Sequence, residues 1–218
     1  MSDKTAKKVV AADFDGTLLK NDLAELVLAR FAGEGWKRYD ELLAKEKISL
    51  EECMRRQYAM VEVGSRREVI EYVDRYCTFR PGVKKLVSEC EARGIDLVIV
   101  SAGLDFCIRH AFRKNGIGLP KLVCPRSSFG KGKGFGVTFP ARRSPGSADY
   151  KESFVSSCQG RGMSVTFVGN GMGDLHAAIR ADEVFAIKDS TLDVVCNERG
   201  IAHESVKNLV PVWKSLLA

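Results

Sequence analysis

The segment Val9-Val10-Ala11-Ala12-Asp13-Phe14-Asp15-Gly16-Thr17 places two carboxylates, one residue apart, directly after a short apolar run. Such a run reads as a buried strand. Side chains alternate along a strand, so Asp13 and Asp15 at its carboxyl end face the same way. Gly16 then permits a sharp turn. Acids at that end of a strand lie where α/β sheets bind ligands. Two close carboxylates repel one another, which favours a divalent cation or a shared proton. Taken alone, the same residues also fit a polar strand end closed by an Asx-type turn.

Downstream, the pattern changes to helix from Asp22 to Tyr76. Leu23, Leu26, Val27 and Phe31 make one apolar face, and Trp36, Tyr39, Leu42 and Leu43 a second. Ser49-Leu50-Glu51-Glu52 resembles a capping box opening a third helix, and Ser65 followed by Glu68 predicts a fourth. So much helix with no strand reads as an insertion rather than a βαβ crossover. Arg80-Pro81-Gly82 marks the return, followed by a helix from Val83 to Arg93 and a strand Asp96–Val100.

Ser101-Ala102-Gly103 ends that strand, and a further helix runs to Lys114. Residues 121–147 read as irregular, with Gly130, Gly132, Gly134, Gly136 and Gly146 amid Lys131, Lys133, Arg142 and Arg143. The stretch lacks the Gly-Lys-Ser/Thr ending of a P-loop, so a hairpin or exposed loop is the better reading. A helix over Asp149–Gln159, a strand Ser164–Val168, the turn Gly169-Asn170-Gly171-Met172-Gly173-Asp174 and a helix Leu175–Arg180 follow. A short strand Val184–Ile187 and a closing helix Asn208–Leu217 complete the chain. Polar or Gly-rich turns therefore follow residues 12, 100 and 168, and a parallel sheet would bring all three to one edge.

Asp13-x-Asp15-Gly16-Thr17, Ser101, Lys151 and Gly169-x-Gly171-x-x-Asp174 resemble, in order, the four motifs of the haloacid dehalogenase-like superfamily. The helical insertion is similar to that superfamily's C1 cap. Gly35-Trp36, Ile48-Ser49-Leu50-Glu51-Glu52 and Ser127-Ser128-Phe129 resemble the phosphoserine phosphatase-like branch, and within it the MtnX-type phosphatases. The implied architecture is α/β: a Rossmann-like core (1–19 and 77–218) with a parallel sheet flanked by helices, and a small α-helical cap (20–76) inserted after the first strand.

The resemblance implies a phosphomonoesterase. Asp13 would be the nucleophile, Asp15 the general acid and base, Ser101 a phosphoryl ligand and Lys151 the neutralising cation. Gly16 and the backbone at Ala102 and Gly103 would lie against the phosphate. Mg2+ would sit among Asp13, the carbonyl of Asp15, Asn170 and Asp174. Here the chain departs from the family, because the usual Gly-Asp-Gly is Gly169-Asn170-Gly171 and a neutral amide replaces a carboxylate. A catalytically weak relative that only binds a phosphorylated metabolite is therefore the alternative. Asp22 falls where the family reads a substrate amine, and Arg55 or Arg56 near a carboxylate-binding arginine.

Each assignment has a plainer counterpart. Ser101 is also placed to cap the following helix, Arg55 and Arg56 to form a solvated helix face, and Trp36 and Tyr58 to pack in the core. A dinucleotide fingerprint at Gly169 would need glycine at 174, where the chain has Asp174.

Bulk properties agree with a globular enzyme: 218 residues, 45% hydrophobic and 28% charged. A net charge of +6 suits an anionic ligand, and without RNA-type aromatic motifs nucleic acid is not expected. Seven scattered cysteines read as free thiols. No membrane-length apolar run or signal core is evident, so the expectation is a cytoplasmic monomer or homodimer acting on a small phosphorylated metabolite.

Overall fold

The computed structural model describes residues 7–129 and 135–217. Six parallel strands form the central sheet in the order β3-β2-β1-β6-β7-β8. They are β1 (Lys8–Ala12), β2 (Asp96–Val100), β3 (Lys121–Val123), β6 (Ser164–Gly169), β7 (Glu183–Ile187) and β8 (Glu204–Val206). β1 lies between β2 and β6, pairing Ala12 with Ile99 on one side and with Val168 on the other. The chain therefore winds outward from β1 in both directions, and its carboxyl end is the switch point where such sheets open a crevice. Val9 to Ala12 are buried on both faces, which suits the unbroken apolar run of a central parallel strand.

Four helices fill the insertion after β1, before the chain returns to the core through a fifth: α1 (Leu23–Phe31), α2 (Lys37–Ala44), α3 (Leu50–Tyr58) and α4 (Arg66–Val73). Asp22, Ser49 and Ser65 cap α1, α3 and α4 by accepting from the amides of Glu25, Glu52 and Glu68. The reciprocal half of a capping box is not formed at Ser49, because the Glu52 carboxylate pairs with Arg55 and Arg56 instead. The chain leaves and re-enters the core side by side: Leu19 bridges Phe79, Lys20 donates to Thr78 and Arg80 to Leu18.

Helices α5 (Val83–Ala92), α6 (Asp105–Lys114), α7 (Tyr150–Gln159), α8 (Leu175–Arg180), α9 (Thr191–Arg199) and α10 (Val210–Ser215) complete the core. The stretch expected to be irregular is partly ordered. β3 joins the sheet edge, and β4 (Arg126–Phe129) pairs antiparallel with β5 (Phe135–Thr138) as a hairpin. Gly130, Lys131, Gly132, Lys133 and Gly134 lie outside the described residues. α9 and β8 were not anticipated. Among the described residues no helix is long and apolar enough to cross a membrane, and all seven cysteines are unpaired.

Candidate active site

Phe14 decides where the two leading acids point. Its ring is fully buried against Phe79 and Phe112, at centroid distances of 6.2 and 6.0 Å. With Phe14 driven inward, its neighbours Asp13 and Asp15 turn to the other side and line one cleft. Strict alternation is not the whole cause, since the strand ends at Ala12, although Asp13 still donates its amide to Val168 at 2.8 Å. Gly16 then takes φ +71°, and a Cβ there would collide with the Asn170 amide.

Lys151, in the first turn of α7, bridges two carboxylates: its ammonium is 2.7 Å from Asp13 Oδ1 and 2.7 Å from Asp174 Oδ1. The second Asp174 oxygen accepts the amides of Asn170 (2.9 Å) and Gly171 (3.0 Å), shaping the loop after β6. Asp174 thus engages both Lys151 and its own loop. Thr17 Oγ1 donates to Asn170 Oδ1 at 2.8 Å, so the amide oxygen faces the Asp13 loop. Asp15 accepts from the amide of Leu23 at 2.9 Å. Gly103 lies so close to Asp15 that any Cβ there would overlap its carboxylate.

Ser101 is buried, and its hydroxyl accepts from the Gly103 amide at 3.0 Å. It does not cap α6, whose N-cap residue is Leu104. Tyr58 is fully buried and donates to the Ala102 carbonyl at 3.2 Å, tying α3 to the loop after β2. Trp36 is also buried, so packing prevails over a ligand role for both rings. Asp22 lines the cleft while capping α1. Arg55 and Arg56 do not reach the cleft; they sit on the outer face of α3, paired with Glu52, because that helix turns Leu50 and Met54 inward instead.

Burial dominates the electrostatics. It lifts Asp13 to about 7 against the pull of Lys151, with Asp174 adding to the rise. Burial, then the charges of Asp22 and Asp13, holds Asp15 well above the usual carboxylate range. Burial likewise raises Asp22 to about 6. For Lys151, burial acts to lower the pKa, and Asp13 and Asp174 override it, leaving the group raised and charged.

Sequence reasoning missed Arg80, which donates to the Gly16 carbonyl at 2.7 Å and the Thr17 carbonyl at 3.0 Å, holding the turn that follows Asp15. It also missed Glu51, a buried carboxylate reaching from α3 to the start of α7. An acid in the first turn of a helix reads as ordinary dipole compensation, so only tertiary structure shows this role.

Among the described residues no three His, Cys, Asp or Glu side chains form a metal-binding group. The oxygens at the cleft floor nonetheless fit a hard cation. Asp13 and Asp174 share the one ammonium of Lys151, leaving an excess of negative charge where an anionic phosphate would have to approach. The cleft encloses about 490 Å³. Leu43, Leu50, Met54 and Met172 line it together with Asp40 and Glu41, and Lys151 is the one cation among its described lining residues.

Residues 10–178 match the family model described as haloacid dehalogenase-like hydrolase. The chain is 28% identical over 203 residues to a 2-hydroxy-3-keto-5-methylthiopentenyl-1-phosphate phosphatase of Geobacillus kaustophilus, covering 91% of this chain and 90% of that one. A protein of the same name from Brevibacillus brevis is 29% identical over 134 residues, 62% of this chain and 60% of the relative. Among solved structures, the phospho-aspartyl intermediate analogue of a phosphoserine phosphatase superposes with a TM-score of 0.71. That match has 21% identity and covers 97% of this chain and 99% of the other.

Proposed function

The chain belongs to the haloacid dehalogenase-like hydrolase family, and from that premise we propose that it is a Mg2+-dependent phosphomonoesterase working through an aspartyl-phosphate. The observation that carries the reading is the Lys151 bridge to Asp13 and Asp174 beside an Asp15 whose proton is retained by burial. An Asp13 oxygen attacks phosphorus while the ester P–O bond breaks, and Asp15 gives its proton to the departing oxygen. Asp15, now ionised, takes a proton from water. The water oxygen then attacks the same phosphorus, releasing inorganic phosphate and restoring Asp13.

Lys151 keeps Asp13 from repelling the incoming phosphate, and Ser101 with the backbone at Ala102 and Gly103 orients its oxygens. The Asp13 carboxylate, the Asp15 carbonyl and the Asn170 amide oxygen would hold Mg2+, which when bound neutralises phosphoryl charge. Residues 20–76 act as a cap over a core of 1–19 and 77–218. The paired segments at Leu19 and Phe79 support that division.

For substrate, we favour the 2-hydroxy-3-keto-5-methylthiopentenyl-1-phosphate named for the relatives over phosphoserine. A thioether tail suits the wall of Leu43, Leu50, Met54 and Met172. With Arg55 and Arg56 turned outward, no arginine lines the cleft to take a substrate carboxylate. Comparing kcat/KM for the two esters tests this: equal or higher efficiency with phosphoserine would reject the preference. Asn170 favours one second reading, a relative that binds the ester with weak turnover. That reading holds if Asn170→Asp is needed for activity.

A further inference from the structure

On the far side of the first turn of α7, a second cavity of about 440 Å³ shares no lining residue with the catalytic cleft. Leu122 and Val123 of β3 form part of its wall, together with Phe139 and Phe154. Two guanidinium groups, Arg126 and Arg143, stand at it, and neither has an ion-pair partner among the described residues. Tyr150 also lines it, 2% exposed, with a hydroxyl that finds no hydrogen-bond partner among the described residues.

Arg55, Arg67 and Arg93 have carboxylates to pair with, and Arg126 and Arg143 have none among the described residues. Here two cations and apolar walls line a concavity of ligand size. We propose that this cavity is a second ligand site, for a small organic anion with an apolar body. The anionic head pairs with Arg126 and Arg143, and the body packs on Phe139, Phe154 and the Tyr150 ring.

Isothermal titration of the full chain with 4-phenylbutyrate, 3-phenylpropylphosphonate and the neutral 4-phenylbutanol tests it. Carboxylate and phosphonate share a tail, so their relative affinities assign the head group. At least one anion is expected to bind one-to-one, about tenfold tighter than the alcohol. Binding should weaken about tenfold in Arg126→Ala/Arg143→Ala and less in Tyr150→Phe. Saturating inorganic phosphate should leave it unchanged. Both arginines are exposed, so that double variant is expected to fold as wild type does. Absence of binding by both anions, equal binding of the alcohol, indifference to the double variant, or displacement by inorganic phosphate would each overturn the proposal. None of these readouts depends on catalytic turnover.

Discussion

Glu51 on helix α3 accepts the backbone N–H of Tyr150 at 3.0 Å, at the first position of helix α7. The same carboxylate grips Arg142 through two bonds of 2.9 and 3.1 Å. The helical insertion is thereby joined to the turn that presents Lys151 to Asp13. In the proposed mechanism Lys151 acts on the phosphoryl group through its position, so displacement at this joint should cost rate more than binding.

Glu51→Gln keeps an oxygen for the Tyr150 amide but removes the charge that holds Arg142. Steady-state kinetics should show kcat lowered about tenfold with KM nearly unchanged, and Glu51→Ala should lower it further. A change confined to KM would place Glu51 outside the catalytic arrangement.

Gly103→Ala introduces a methyl group into the space that the Asp15 carboxylate occupies. Displacing a general acid typically costs about 10²–10⁴ in rate. Phosphate release should fall by at least about 10² while the far-ultraviolet circular dichroism spectrum is preserved. Wild-type activity in this variant would show that Asp15 has room the structure does not give it.

Asp22 connects pH to stability. Its folded pKa of about 6 lies above the ordinary aspartate value of 3.8, so the folded state binds the proton more tightly than the unfolded state. Its contribution is therefore fully present below the unfolded value and is lost as pH rises through about 6. Asparagine also caps helices and carries no charge. Asp22→Asn should raise the melting temperature by a few degrees at about pH 8, and the gain should shrink at about pH 5. A gain that grows on acidification would reverse the assignment.

Asn170→Asp restores a carboxylate at the proposed cation site without losing the acceptor for Thr17 Oγ1. Titration with Mg2+ should show an affinity about tenfold higher than wild type. Unchanged affinity would remove residue 170 from the ligand set.

The parts of this architecture that could be read from sequence are those where local chemistry and tertiary placement agree. The run ending at Ala12 is buried on both faces because β1 is central, and Ser49 and Ser65 cap the helices that they precede. Lys151 was placed by its spacing from Gly169, which one helix and a turn span. Long-range packing decided the rest. Met54 and Arg55 are neighbours on α3, and only the docking of that helix shows that Met54 enters the cleft and Arg55 leaves it. The β4–β5 hairpin agrees with the hairpin read for residues 121–147, whereas β3, three residues long, is too short to show a strand pattern. The bond from Lys151 to Asp174 likewise joins residues distant in sequence.

The most direct test is inorganic phosphate release from 2-hydroxy-3-keto-5-methylthiopentenyl-1-phosphate with Mg2+, comparing wild type with Asp13→Asn. Wild type should turn over, and removing the nucleophile should lower the rate by at least about 10³. Turnover that survives Asp13→Asn would contradict the aspartyl-phosphate route. Absence of release by wild type, from this ester and from phosphoserine alike, would contradict the phosphatase itself.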